Sequence, residues 1–258
     1  MAAQILKSLI ILFFSVLIIS CEEEIVETGI NSIKLSGGNY LEIANSTSLK
    51  SIGEESFTIE IWASGGTDIP GAAQALFMVG NNNGGDEIGI YQIPGDSNLV
   101  TLYMDNNLFG VIDVPGLDWS TGELHYLALV QYNDSVGFYF DGEPIFISSI
   151  PNLDVDIGAS NILIGADYDA PGINANVGNF WVGSIDEVRL WKYPLTSTDI
   201  EKHYRHPDKI TIHYCVEMME NLVGLWRFNR ESSDMVPDDS GNDNDAFIRG
   251  SGQVAWEK

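Results

Sequence analysis

From Ser32 onward short apolar segments recur without pause, each cut off by Gly, Asn, Asp or Pro before a helix could complete many turns. Punctuation of this density leaves room for strands. In Phe57-Thr58-Ile59-Glu60-Ile61-Trp62 the apolar residues alternate, placing Phe57, Ile59 and Ile61 on one face of a strand. Leu124 to Gln131 is more continuously apolar, the pattern of a strand covered on both sides. Val136, Phe138 and Phe140 share a face, and Asp141-Gly142 separates them from Pro144-Ile145-Phe146-Ile147. An Asp-Gly pair between two such runs predicts a tight hairpin, because Gly tolerates positive φ without a side-chain clash. Ile162 to Gly165 and Val188 to Trp191 add two more strands.

A helix is expected to begin near Leu195, where Thr198 and Glu201 have the spacing of a capping box, and to end before Pro207. Many strands, regular turns and one short helix predict an all-β fold, a two-sheet antiparallel sandwich. His203, His206 and His213 fall around the helix end and a connector and are expected at the surface, without zinc spacing. With two cysteines a disulfide framework is excluded, and Cys215 is expected to be a small buried apolar residue. The chain has 37 acidic against 12 basic residues, a net charge of −25. Such a surface repels phosphate backbones, so nucleic acid is excluded as a natural partner; divalent cations, neutral sugars and basic proteins remain.

Residues 1–20 read as an export signal. Lys7 precedes an apolar run from Leu9 to Ile19 broken only by Ser15. Eleven helical residues rise about 16 Å, against a hydrocarbon core of roughly 30 Å, too short for a stable span. The run closes in Ile18-Ile19-Ser20-Cys21, which resembles the bacterial lipoprotein box, implying a lipid on Cys21 and a membrane partner through that anchor. Glu22-Glu23-Glu24 resembles the surface-export signal of Bacteroidetes lipoproteins, implying the outer membrane or cell surface. Residues 21–30 then read as a tether and 31–258 as the folded domain.

Several segments together resemble the laminin-G-like and pentraxin branch of the concanavalin A-like lectin/glucanase superfamily. Tyr40 to Ile43 followed by Phe57 to Trp62 is similar to its opening strands, Gly122 to Val130 with Val136 to Glu143 to its central hairpin, and Gly183 to Trp191 with Pro194-Leu195-Thr196 to its late strand and short helix. The resemblance covers about residues 31–206 and implies a jelly roll. Leu222 to Asn229 with Asp239 to Asn244 resembles a segment that usually opens such domains. Either residues 222–258 supply terminal strands from the opposite end, with 207–221 as connector, or they begin a truncated second copy. The first is preferred, because so short a piece cannot bury a core alone.

The same resemblance implies calcium as a cofactor. Ile164 to Asp169 looks like the pentraxin loop whose acidic residues hold calcium, which carries over to Asp167 and Asp169, with Asp86 on the opposing loop; Ala166 stands where pentraxins have an amide. A second, structural calcium is implied at Asp186, helped by Asp239 or Asp243. Sugar recognition asks for an aromatic platform, and Trp119, Tyr168 and Trp181 in or near predicted loops are the candidates, whereas Trp62, Trp191 and Trp226 are expected in the core. A glycosidase needs two carboxyls across the scissile bond. The glucanase pattern Glu-x-Asp-x-x-Glu fails at Ser184 and Arg189 around Asp186, and no Gly-x-Ser-x-Gly elbow is present. The expectation is therefore a non-catalytic surface module binding a glycan or an extracellular protein, with an accessory role in a surface assembly as the alternative.

Overall fold

A computed structural model of the chain describes residues 32–44, 46–52, 56–66, 71–81, 85–104, 107–149, 161–168, 176–207, 210, 219–232, 234–251 and 254–257. Cys21, Asp169, His213 and Cys215 lie outside the described residues, as do most of 207–221 and the side chain of Asp86. The strands, in chain order, are β1 (Ser32–Ser36), β2 (Asn39–Ile43), β3 (Ser56–Gly65), β4 (Gln74–Asn81), β5 (Gly85–Gln92) and β6 (Leu99–Met104). Then come β7 (Asn107–Asp113), β8 (His125–Tyr132), β9 (Ser135–Phe140), β10 (Glu143–Ser149), β11 (Asn161–Ile164), β12 (Asp167–Tyr168) and β13 (Val177–Gly178). Last are β14 (Val182–Trp191), β15 (Leu222–Trp226), β16 (Met235–Val236), β17 (Ala246–Gly250) and β18 (Ala255–Glu257), with a short helix α1 (Ser197–Arg205) after β14.

They form two antiparallel sheets. The first runs β10-β9-β8-β3-β14-β1-β18, with β15 also paired to β14; the second runs β16-β17-β2-β11-β4-β5-β6-β7. Strand β14 is long enough to serve two partners on one edge, β1 at Val182–Ile185 and β15 at Val188–Trp191. Residues 222–257 thus contribute strands to both sheets. The alternation read in β3 and β9 is real: Phe57, Ile59, Ile61, Val136 and Phe138 all face a single inter-sheet core that also holds Trp226. Asp141 and Gly142 both have positive φ, 47° and 83°, as the hairpin between β9 and β10 requires.

Helix α1 packs on the outer face of the first sheet, where Ile200 joins Trp62, Tyr126 and Trp191 in a second cluster. Its cap lies two residues earlier than expected: Thr196 accepts from the Asp199 amide at 3.2 Å, while Asp199 accepts from the Thr196 amide at 3.2 Å. Thr196 has the extended backbone a cap needs, whereas Thr198 is already inside the first turn. His203 is also a correction. It is fully buried rather than at the surface, because its Nδ1 donates to Glu60 at 2.8 Å across the helix–sheet interface. His206 is exposed, as expected.

A candidate functional site on the second sheet

Alternation in β5 and β6 sends Ile88, Ile90, Val100 and Leu102 into the core, leaving Tyr91, Thr101 and Tyr103 on the outer face. Gly89 decides how Tyr91 lies. A Cβ at Gly89 would stand 2.3 Å from Tyr91 Cε2, so the bare backbone lets the ring fold flat along the sheet. Tyr103 meets it edge-on, with ring centroids 5.4 Å apart and planes at 72°. Two aromatic walls thereby share one corner, an arrangement that presents both a ring face and a ring edge to a ligand.

The opposite wall comes from the chain between β11 and β14. The ribbon of β12 and β13 is anchored by Ala75, whose amide donates to the Asn179 carbonyl at 2.7 Å. Asn179 takes a left-handed φ of 48°, and its Nδ2 donates to both carboxylate oxygens of Asp167, at 3.1 and 3.0 Å. Tyr91, Gln92, Thr101, Tyr103, Asp167 and Asn179 line one cavity of about 410 Å³.

Gln92 is the most telling member. The Val182 amide donates to Gln74 Oε1 at 2.6 Å, which fixes the Gln74 amide so that its Nε2 faces Gln92. Gln74 Nε2 donates to Gln92 Oε1 at 3.0 Å, and this in turn fixes Gln92 with its own NH₂ turned away. That NH₂ is buried without an acceptor among the described residues. A relay of two amides, started by a backbone N–H, ends in an unmatched donor at the wall of the cavity.

The sequence-predicted residues divide sharply. Asp167 is at the cavity, almost fully buried. Tyr168 is half-buried beside it, its hydroxyl accepting from Asn161 at 3.3 Å, and does not line it. Trp119 and Trp181 are corrections: both are buried core residues, packed edge-to-face at 5.1 Å, so neither offers a platform. They are interior because the loops carrying them fold back over the sandwich end, with the Trp119 amide bonded to the Ser97 carbonyl and the Trp181 amide to that of Gly165. Of the residues named for a second metal, Asp186 is half-buried on β14. Among the described residues no three His, Cys, Asp or Glu side chains group to hold a metal. Asp239 faces Arg230 at 3.7 Å and Asp243 is exposed, while the neighbouring Asp238 closes the loop by accepting from the amides of Leu225, Ser240 and Asn244. At the first site Asp167 is the described member, and Asp169 and the Asp86 side chain lie outside the described residues.

Tyr91, Gln92, Thr101, Tyr103 and Asn179 were missed by sequence reasoning. The signal for the tyrosines was present in Ile88-Gly89-Ile90-Tyr91, where two core residues leave Gly and Tyr together on the other face.

A family model described as the concanavalin A-like lectin/glucanases superfamily, of laminin-G type, matches residues 35–201. A search of curated proteins finds no match. Among solved structures, a candidate carbohydrate-binding protein from Bacteroides ovatus superposes with a TM-score of 0.63 at 14% identity, over 88% of this chain and 59% of that one. The chain therefore spans little more than half the length of that neighbour. The heptameric SAP-like pentraxin of Limulus polyphemus gives a TM-score of 0.55 at 13% identity, over 69% of this chain and 83% of its own. A carbohydrate-binding module of the Ruminococcus gnavus IT-sialidase, bound to α2,3-sialyllactose, gives 0.52 at 19%, over 66% and 95%. Two packed antiparallel sheets, a helix laid on one of them and a family match over well over half the chain lead to one assignment: the protein belongs to the concanavalin A-like lectin/glucanases superfamily.

Proposed function

We propose that the protein is a lipid-anchored saccharide-binding module whose ligand sits in the cavity against Tyr91 and Tyr103. The observation that carries this reading is the Gln92 NH₂, a buried donor of dictated orientation with no acceptor among the described residues. Leaving such a donor unmatched costs about 1–3 kcal/mol, and a ligand hydroxyl at the cavity wall removes that cost. The two rings supply stacking surface, while Thr101, Asp167 and Asn179 add hydroxyl, carboxylate and amide groups for hydrogen bonds with sugar hydroxyls. Among the described residues Asp167 is the one carboxylate that lines the cavity. The descriptions of the Bacteroides and Ruminococcus proteins as carbohydrate binders support the same reading.

On a glycan array followed by calorimetry, Tyr103→Ala is expected to weaken the retained saccharide by about tenfold or more, equivalent to about 1.4 kcal/mol. Unchanged affinity in Tyr103→Ala would exclude this cavity. A chelator arm tests calcium: retention lost on chelation and restored by the ion assigns it to Asp167 and Asp169, and unchanged retention leaves binding to the rings and amides.

Anchoring rests on Cys21 behind its short apolar run. Cys21→Ser is expected to abolish labelling by a fatty-acid probe and to move the protein out of the detergent phase. Persistence of both in the variant would rule the anchor out.

A further inference from the structure

We infer a second saccharide subsite on the other sheet, in a groove between the β8–β10 end and the segment Tyr193–Ser197. The groove has a volume of about 690 Å³, and ligand sites run roughly 300–1,000 Å³. Strand register builds it. Thr58, Val130, Gly137 and Ile147 form one cross-strand row, and Ser56, Tyr132, Ser135 and Ser149 form the next. The first row lacks a side chain at Gly137, which opens the floor between Val130 and Ile147. Tyr139 folds its ring back over that gap: a Cβ on Gly137 would stand 3.1 Å from Tyr139 Cε2 and 3.6 Å from Ile147 Cγ1. The Tyr139 hydroxyl meets Ser197 Oγ at 3.1 Å, tying the floor to the first residue of α1. Thr58 Oγ1 fixes the far wall by donating to the Tyr193 carbonyl at 2.7 Å and accepting from the Leu195 amide at 2.9 Å.

Two observations point to a ligand and to its chemistry. Ile147 and Tyr132, 66% and 58% exposed, are the most exposed large apolar side chains among the described residues, and both flank this groove. Apolar surface left in water beside a preformed groove marks a binding surface. Among the described residues the lining also contains no Asp, Glu, Lys, Arg or His, although the chain has 37 acidic and 12 basic residues. Its side-chain polar groups are the hydroxyls of Ser56, Ser135, Thr196, Ser197 and the tyrosines. Tyrosine faces accept the C–H side of a pyranose, and hydroxyls both donate and accept toward ring hydroxyls without desolvating a charge. The occupant is an uncharged saccharide. A carboxylated or sulfated sugar would find no cation among the groove's described residues and would meet the field of a chain with a net charge of −25.

The test is a titration of the full chain with a panel of neutral oligosaccharides and with sialyllactose, followed by calorimetry and ligand-observed NMR. The variants are Tyr103→Ala and the double variant Tyr132→Ala with Ile147→Ser, the latter pair exposed enough to leave the melting temperature unchanged. A neutral oligosaccharide should bind Tyr103→Ala and lose about tenfold or more in the double variant, and sialyllactose should show no difference between the double variant and the parent. If every saccharide of the panel keeps its affinity in the double variant, this groove is overturned; the second-sheet cavity stands or falls separately, by whether any of them is weakened in Tyr103→Ala. Failure of every neutral saccharide at millimolar concentration, or an effect of the double variant confined to self-association or to protein capture, also overturns the groove.

Discussion

Replacing Glu60 with Gln is expected to lower the melting temperature by roughly 10 °C. Glu60 is fully buried beneath α1 and every atom of its carboxylate is engaged. Tyr126 donates to Oε1 at 2.6 Å, His203 to Oε1 at 2.8 Å, and Trp191 Nε1 to Oε2 at 2.6 Å. Arg189, also fully buried, lies 3.9 Å from Oε2, stacks its guanidinium 4.6 Å above the Trp62 ring, and pairs with Glu187. Burial by itself pushes the Glu60 carboxyl up, yet the charge and hydrogen bond of His203, the charge of Arg189 and the hydrogen bond of Tyr126 outweigh it and hold it down at about 2. Burial, then Glu60, raises the Tyr126 hydroxyl well above its ordinary range, so that group stays a donor. Removing one partner of a buried ion pair costs about 3–5 kcal/mol because the other is left uncompensated. At roughly 2–4 °C per kcal/mol for a chain of this size, the expected shift follows.

The sign of the pH dependence follows from the same group. Its folded pKa lies below the unfolded value of 4.5, so the stabilisation is fully present above that value and is lost as pH falls toward about 2. The change amounts to about 3 kcal/mol. Chemical denaturation between pH 6 and 2 should show a steep acid loss in the parent and a shallower one in Glu60→Gln. Equal slopes in the two proteins would show that this carboxylate does not carry the acid sensitivity.

Period-two alternation carried most of the fold into view because it is a local signal: the inward sets of β3 and β9, and the hairpin at Asp141-Gly142, need only neighbouring residues to be read. What local pattern hides is which loop turns inward. Trp119 and Trp181 sit in loop sequence and are buried because loop carbonyls distant in the chain hold their backbones against the sandwich end. His203 occupies the face of α1 that carries Ile200, a spacing the sequence displays, but its partner Glu60 is 143 residues away. The site follows the same rule. Asp167 was readable from its loop, whereas its meeting with Tyr91, Gln92 and Tyr103 depends on β12 and β13 folding back onto β4, which no periodicity announces. Beside Asp239 and Asp243, loop acidity alone does not announce that Asp238 sets the geometry of the turn through three backbone amides.

Gly183→Ala is the second change expected to have a large effect, and it joins stability to binding. Gly183 pairs with Gly65 where β14 meets β3, and its φ of 152° suits a residue without a side chain. A Cβ there would stand 2.0 Å from the Ser64 carbonyl oxygen, 2.8 Å from Trp181 Nε1 and 3.0 Å from Gly65 Cα. Two of these neighbours are backbone in the middle of the first sheet, so the strain cannot be relieved by a rotamer change and a loss of about 3 kcal/mol is expected. The preceding residue, Val182, sits at the head of the amide relay: its N–H orients Gln74, and Gln74 orients Gln92. Displacing Val182 therefore frees the Gln92 amide to rotate, and a rotated amide no longer presents its NH₂ to a ligand. Gly183→Ala should thus melt roughly 10 °C lower and, at a temperature where it remains folded, bind saccharide in the second-sheet cavity several-fold more weakly. Gly110→Ala is the matched control, since a Cβ there meets nothing within 4 Å, and its stability should stay within about 0.5 kcal/mol of the parent. A Gly183→Ala protein that melts with the parent would show that β14 and β3 can separate without cost. One that melts low but binds normally would cut the link between the relay and the site.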